Sequence, residues 1–155
     1  MTTNGNSAAP DEVASLATFQ VGRAILGRAQ FLPGYSLLLC QAPEADRLTD
    51  LPRSQRLTFL AELETVGEAV EIVCGRRDPA FRRINLEILG NLTPKLHAHI
   101  WPRYEWEPHD LRIRQVGRYP LEQWHRPETQ LGQQHVPLRD ALRAELDRLV
   151  TESDR

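Results

Sequence analysis

The sequence predicts an α+β domain built on an antiparallel sheet, and three observations predict it. Alternation with a period of two, the pattern of a strand with one buried face, occupies residues 81–89 and 95–101. Apolar residues recur at threes and fours over 52–74 and again over 137–150, the period of amphipathic helices. Read in order, the chain runs strand, strand, long helix, strand, strand, terminal helix, which is the order of an α+β fold with an antiparallel sheet. At 155 residues it is long enough for one domain with a core and too short for two.

Residues 1–12 are small and polar with Gly and Pro, and read as a flexible tail that tightens into a short helix near 11–18. Residues 19–26 mix apolar and small side chains as a strand does. The step Leu32-Pro33-Gly34 then combines the fixed φ of Pro with the permissive φ of Gly, as a turn requires. Residues 35–40 are mostly apolar, so the pair reads as an antiparallel hairpin with a longish loop. A loop rich in Pro, Asp and Glu at 41–50 leads to the helix at 52–74, with Leu57, Leu60, Leu63, Val70 and Val73 on its apolar stripe and Gly75 as its expected C-cap. Gly67, inside that helix, costs about 1 kcal/mol against Ala unless close packing demands it.

Asp78-Pro79 starts a turn, and the strand at 81–89 alternates Ile84, Leu86 and Ile88 with Arg83, Asn85 and Glu87. Residues 90–94 turn the chain back. The next strand places Lys95, His97 and His99 on one face and Leu96, Ala98 and Ile100 on the other, and Pro102, which cannot donate a ladder hydrogen bond, is expected to close it. Periodicity is lost after Arg103, and 111–136 reads as irregular apart from a helical turn at 121–125. A terminal helix at 137–150 follows through Leu138, Leu142, Leu146 and Leu149, with Pro137 tolerated in its first turn. The organisation is a tail at 1–12, a domain at 13–120 and a C-terminal extension with the terminal helix at 121–155.

A net charge of −2 with 26% charged residues gives no general electrostatic reason to bind nucleic acid polymers or acidic membranes, so phosphate binding has to be local. Cys40 and Cys74 lie far apart in apolar stretches and read as buried free thiols, which favours a reducing compartment. The N-terminal residues lack a basic segment followed by an apolar one, and no apolar run is long enough to span a bilayer. The reading is a soluble, cytoplasmic protein with no membrane partner. Of nineteen basic residues eighteen are Arg, and the one Lys is Lys95.

By spacing alone the His97-x-His99 pair is open to two bland readings. It fits a solvated strand face, and it fits two ligands of a metal site whose third ligand comes from elsewhere. The surrounding run Lys95-Leu96-His97-Ala98-His99-Ile100-Trp101-Pro102-Arg103 resembles the signature of the histidine triad (HIT) superfamily, alternating His and apolar residues often followed by Pro-Arg. Lys95 stands where the family has its first His. Phe31-Leu32-Pro33-Gly34-Tyr35 and the apolar residues after it resemble the family's Pro-Gly-His/Tyr turn and strand, and the likeness spans about residues 19–106.

The resemblance implies a five-stranded half-barrel sheet with one long helix and a C-terminal helix, doubled into a homodimer. The chain's own periodicity supplies four strands. It further implies that His97 is the nucleophile, that His99 contacts the phosphate, and that Asn85 binds phosphate or ribose. Asn91, Thr93, Lys95 and Arg103 are further candidates to hold the substrate, Arg103 alternatively pinning the strand end. The implied reaction is cleavage of a dinucleoside polyphosphate or nucleoside phosphoramidate at the α-phosphorus through a nucleotidyl-histidine intermediate. A non-catalytic nucleotide-binding module and a His-x-His metal enzyme remain as alternatives.

Imidazole suits the first role because its ordinary pKa near 6.5 leaves much of it unprotonated at neutral pH. One ring nitrogen has to be held as N–H so that the other offers its lone pair, and a backbone carbonyl does this as well as a side chain. No Gly-rich phosphate loop and no acidic cluster suited to Mg²⁺ appears, so no cofactor or metal is expected. His109, His125 and His135 lie outside the motif in polar surroundings and read as surface residues.

Overall fold

The computed structural model describes residues 10–153. Residues 1–9 of the expected tail lie outside the described residues, and its remainder enters a short helix, α1 (Pro10–Ala14). Five strands follow: β1 (Ser15–Thr18), β2 (Gly22–Leu26), β3 (Ser36–Cys40), β4 (Phe81–Glu87) and β5 (His97–Tyr104). They form one antiparallel sheet in the order β1-β2-β3-β5-β4. The long helix α2 (Arg53–Arg77) joins β3 to β4, and α3 (His109–Arg112), α4 (Leu121–His125) and α5 (Val136–Ser153) follow the sheet. Among the described residues no helix is long and apolar enough to cross a membrane.

The fifth strand is the element the periodicity misses. Residues 15–18 continue as a strand, where the expected helix near 11–18 would have carried on. Four residues are too few for alternation to register, and β1 is held by pairing with β2, Thr18 opposite Arg23 and Ser15 opposite Ile25. Between the two strands the tight turn is closed by Phe19 N–H donating to the Gly22 carbonyl at 2.8 Å. Glu62 of α2 clamps that turn, its two carboxylate oxygens accepting from the amides of Val21 and Gly22 at 2.9 and 2.7 Å. The β2–β3 hairpin has the expected antiparallel form, Gly22 opposite Cys40 and Leu26 opposite Ser36.

One face of the sheet is the main core. There Ala24, Leu38, Ala98 and Ile100 meet Phe59, Leu63, Val66 and Val70 of α2, and Leu142 and Leu146 of α5 seal the same cluster. Gly67 lets α2 pack closely on β4, since a Cβ there would lie 2.9 Å from the Ile84 Cδ1, so its conformational cost is offset by the approach it permits. Gly75 does not end the helix. One more turn forms, held to α5 by the Arg76–Glu145 ion pair at 3.1 Å, and the helix stops at Asp78, whose following Pro79 disfavours helical backbone.

Leu96, Ala98 and Ile100 are buried as the alternation requires. Pro102 does not close the strand. β3 pairs with β5 only as far as Ser36 opposite Ile100, so Pro102 lies where β5 has a neighbour on one side alone and its missing N–H is tolerated. At the other end Lys95 precedes the strand, which starts at His97. The opposite face of the sheet carries the two imidazoles and Trp101, which joins Phe31, Leu32, Tyr35, Tyr104 and Tyr119 in a second cluster.

Candidate functional site

β5 places His97, His99, Trp101 and Arg103 on one face, and β4 runs beside it with Glu87 opposite His99 and Asn85 opposite Trp101. The two imidazole centroids are 4.9 Å apart with the rings nearly perpendicular, 71°. Each ring is fixed by a different partner. His97 Nδ1 lies 2.5 Å from the backbone carbonyl oxygen of Lys95. A carbonyl only accepts, so Nδ1 carries the proton and Nε2 is left with its lone pair.

His99 Nδ1 lies 2.8 Å from the Tyr35 hydroxyl, and Tyr35 is itself buried beneath Trp101, ring centroids 3.5 Å apart at 9°. Trp101 also runs parallel to the His99 ring at 5.6 Å and 4°. Desolvation by these rings, and secondarily the neighbouring His97, pushes the His99 pKa down to about 4, so it is neutral at physiological pH. Burial, with Glu87 adding to it, pushes the Tyr35 phenol up, so it keeps its proton. A phenol donating to Nδ1 leaves His99 Nε2 as an N–H donor. The pair is thus one nucleophilic nitrogen beside one neutral donor.

Two cavities flank the imidazoles. One of about 460 Å³ lies against Leu37, Leu39, Ala42 and Pro43 and includes Lys95, and the other, of about 580 Å³, includes Asn91. Thr93, His97 and His99 line both. Gly90 opens the turn that carries Asn91 and Thr93, with a φ of 140° that favours glycine. Lys95 turns its side chain away from the imidazoles: its ammonium donates to the Pro43 carbonyl and pairs with Asp46 Oδ1 at 3.2 Å. What Lys95 presents to His97 is its backbone carbonyl.

Asn85 shares the imidazole face by register but lines a separate groove of about 850 Å³ with Arg83 and Arg114, its Oδ1 accepting from Arg103 Nη1 at 2.9 Å. Arg103 is buried. Its guanidinium donates to Glu107 at 2.9 and 3.0 Å, to Asn85, and to the carbonyls of Leu111, Arg112 and Arg114, which places it as an anchor of the strand end.

Two features of this site had no sequence signal of their own. The Tyr35 hydroxyl on His99 depends on the register Leu37 opposite His99. The wall of the larger cavity comes from Gly117 and Tyr119 of the segment read as irregular and from Leu121, Trp124 and His125 of the expected helical turn, whose approach to the imidazoles had no signal, so His125, though exposed, borders the imidazole site. Among the described residues no third His, Cys, Asp or Glu joins His97 and His99 in a group able to hold a metal ion.

The fold is similar to that of solved histidine triad proteins. One from Marinobacter aquaeolei superposes with a TM-score of 0.68 at 21% identity, covering 87% of this chain and 89% of that one. Another, from Bradyrhizobium japonicum, gives 0.62 at 20% identity over 85% and 89%. A hypothetical histidine triad nucleotide-binding protein from Sulfolobus tokodaii gives 0.61 at 15% identity over 88% and 85%. No curated protein sequence matches the chain. Identities this low speak to the fold alone. The HIT domain family model, however, matches residues 20–106, more than half of the sequence and the part that holds β2 to β5 and both imidazoles. The chain belongs to the HIT domain family.

Proposed function

We propose that this protein is a nucleotide hydrolase or transferase that cleaves a dinucleoside polyphosphate or nucleoside phosphoramidate at the α-phosphorus through a nucleotidyl-histidine intermediate. The observation that carries the reading is the hydrogen bond from His97 Nδ1–H to the Lys95 carbonyl, which leaves Nε2 free beside two cavities. In the first step the Nε2 lone pair forms the N–P bond while the bond from phosphorus to the leaving group breaks, its electrons departing with that group. The ring becomes positive, and the Lys95 carbonyl oxygen against Nδ1–H stabilises that charge. In the second step water attacks the phosphorus, the P–N bond returns its electrons to His97, and the water proton leaves to solvent.

His99 Nε2–H, Thr93 and Asn91 are the donors placed at the cavity wall to meet phosphoryl oxygens. Asn85 and Arg103 act on the substrate less directly, by setting the edge of the sheet. The name of the Sulfolobus relative, a nucleotide-binding protein, supports a nucleotide as ligand. Incubation with diadenosine tetraphosphate in EDTA should release nucleoside monophosphate. Binding without turnover would instead favour a nucleotide-binding module, the reading to which the replaced first His points.

Lys95 separates its backbone from its side chain in a testable way. Its ammonium is spent on Pro43 and Asp46 in an exposed ion pair, a kind worth about 0–1 kcal/mol. Lys95→Ala keeps the carbonyl, so kcat should stay within a few fold of wild type. A loss of activity beyond a hundredfold would place the ammonium on the substrate.

The protein is proposed to act as a homodimer. β4 is a sheet edge with exposed Leu86 followed by exposed Ile88, and α2, which packs on β4, exposes Leu57 and Leu60. An open edge flanked by apolar side chains is a pairing surface. Sedimentation at micromolar concentration should give a dimer and Leu86→Glu should shift it to monomer; a wild-type monomer would count against this assembly.

A further inference from the structure

The larger of the two cavities has a wall that belongs to this chain's C-terminal segment, beyond the span of the family match. We propose that this cavity is a second nucleoside subsite, taking the base of the leaving half of a substrate with an aromatic group at each end. The inference rests on the reading of His97 as attacking a nucleotide.

Its first support is shape. The imidazoles stand between cavities of about 460 and 580 Å³. Each falls in the range that houses one small organic ligand, about 300–1,000 Å³. A mononucleotide bound at His97 fills one of them, whereas a dinucleoside polyphosphate has an end for each.

The second support is the chemistry of the wall. Leu89, Leu92 and Leu121 border this cavity while being 56%, 97% and 75% exposed. A single exposed Leu is ordinary, but three around one polar reaction site, contributed by segments some thirty residues apart, form a surface made to be covered by something flat and apolar. Trp124 stands among them as a half-buried ring. It is held edge-on by Phe31 at 5.0 Å and 78° and by Trp101 at 5.5 Å and 84°, and its carbonyl accepts from Gln130 at 3.0 Å. A pre-fixed aromatic costs little entropy when a base packs on it.

The third support is a polar group at the rim. His125 Nδ1 lies 3.0 Å from the Leu121 carbonyl and is its donor, so Nε2 is an acceptor free at the cavity border. A base or ribose carries donors that such an acceptor recognises, which an apolar patch alone does not.

The test compares two ligands that share the phosphate chain and differ in the second nucleoside: diadenosine tetraphosphate and adenosine 5′-tetraphosphate. Calorimetric titration uses full-length protein carrying His97→Ala, which holds ligand without turnover. The second adenosine should tighten binding by about tenfold or more, the effect of one base stacked on an aromatic surface. Adding Leu92→Ser and Leu121→Ser, neutral changes at exposed positions that leave the packed ring of Trp124 in place, should cut that advantage severalfold. Binding of adenosine 5′-tetraphosphate should be unaltered. Equal affinity for the two ligands, or an equal loss for both in the serine variant, overturns the second subsite and leaves the first-site reading standing. Failure of both ligands to bind overturns the nucleotide reading, and the subsite with it.

Discussion

His97→Ala should lower turnover of a dinucleoside polyphosphate by on the order of 10⁴-fold or more, the scale seen when a covalent nucleophile is deleted. Nucleotide affinity should survive, because His99, Thr93 and Asn91 stay at the cavity wall. The substitution removes the strand-borne nitrogen that combines a free lone pair with a tautomer fixed by the Lys95 carbonyl. His99 cannot stand in for it: its Nδ1 is taken by Tyr35, and Nε2 then bears the proton. Nor does lowering the pH to about 5 change that state, since desolvation keeps the His99 pKa near 4. A denaturing quench at alkaline pH of wild-type protein reacting with α-phosphorus-labelled substrate should trap acid-labile, base-stable label on protein, and the variant should carry none. A His97→Ala protein with a rate close to wild type would remove the covalent mechanism.

The alternation at 81–89 and 95–101 made the two strands of the site readable; along β5 it divides a dry face from a polar one, with Ala98 and Ile100 fully buried and both imidazoles half-buried, whereas on β4 Leu86, and Ile88 after it, are exposed. The long helix was readable for the same reason at the other period. Strand ends were not: Pro102 and Gly75 are local stop signals that lose to context, one because β3 has already ended beside it, the other because Glu145 of α5 holds Arg76. β1 carries no signal at four residues and exists through its partner.

At the site, the need for a tautomer-fixing group was foreseeable from imidazole chemistry, and the Lys95 carbonyl is a group of the foreseen kind. The aromatic wall was not. Its position is set by Trp124 packing on Phe31 and Trp101, contacts between residues distant in sequence that no local pattern encodes.

Glu107→Ala should destabilise the fold by about 3–5 kcal/mol, the cost of stranding one member of a buried ion pair. Arg103 and Glu107 have side chains 4% and 0% exposed and meet at 2.9 Å. Burial pushes the Glu107 carboxyl up, yet the hydrogen bonds from Arg103, the Tyr119 hydroxyl and the Tyr104 amide outweigh it and hold the group below the ordinary carboxylate range. The carboxylate thus stays charged, and its deletion leaves a buried guanidinium without its counter-charge. Around it the carbonyls of Leu111, Arg112 and Arg114 and the Asn85 amide oxygen remain as acceptors, but none carries a full negative charge. In a chain of this length the loss corresponds to a fall in Tm of roughly 6–20 °C. Because the penalty belongs to the uncompensated charge, the pair Arg103→Met with Glu107→Leu should recover much of it. A Glu107→Ala protein that unfolds within about 1 kcal/mol of wild type would mean that the guanidinium escapes to water and that the strand end at Tyr104 is held by packing alone.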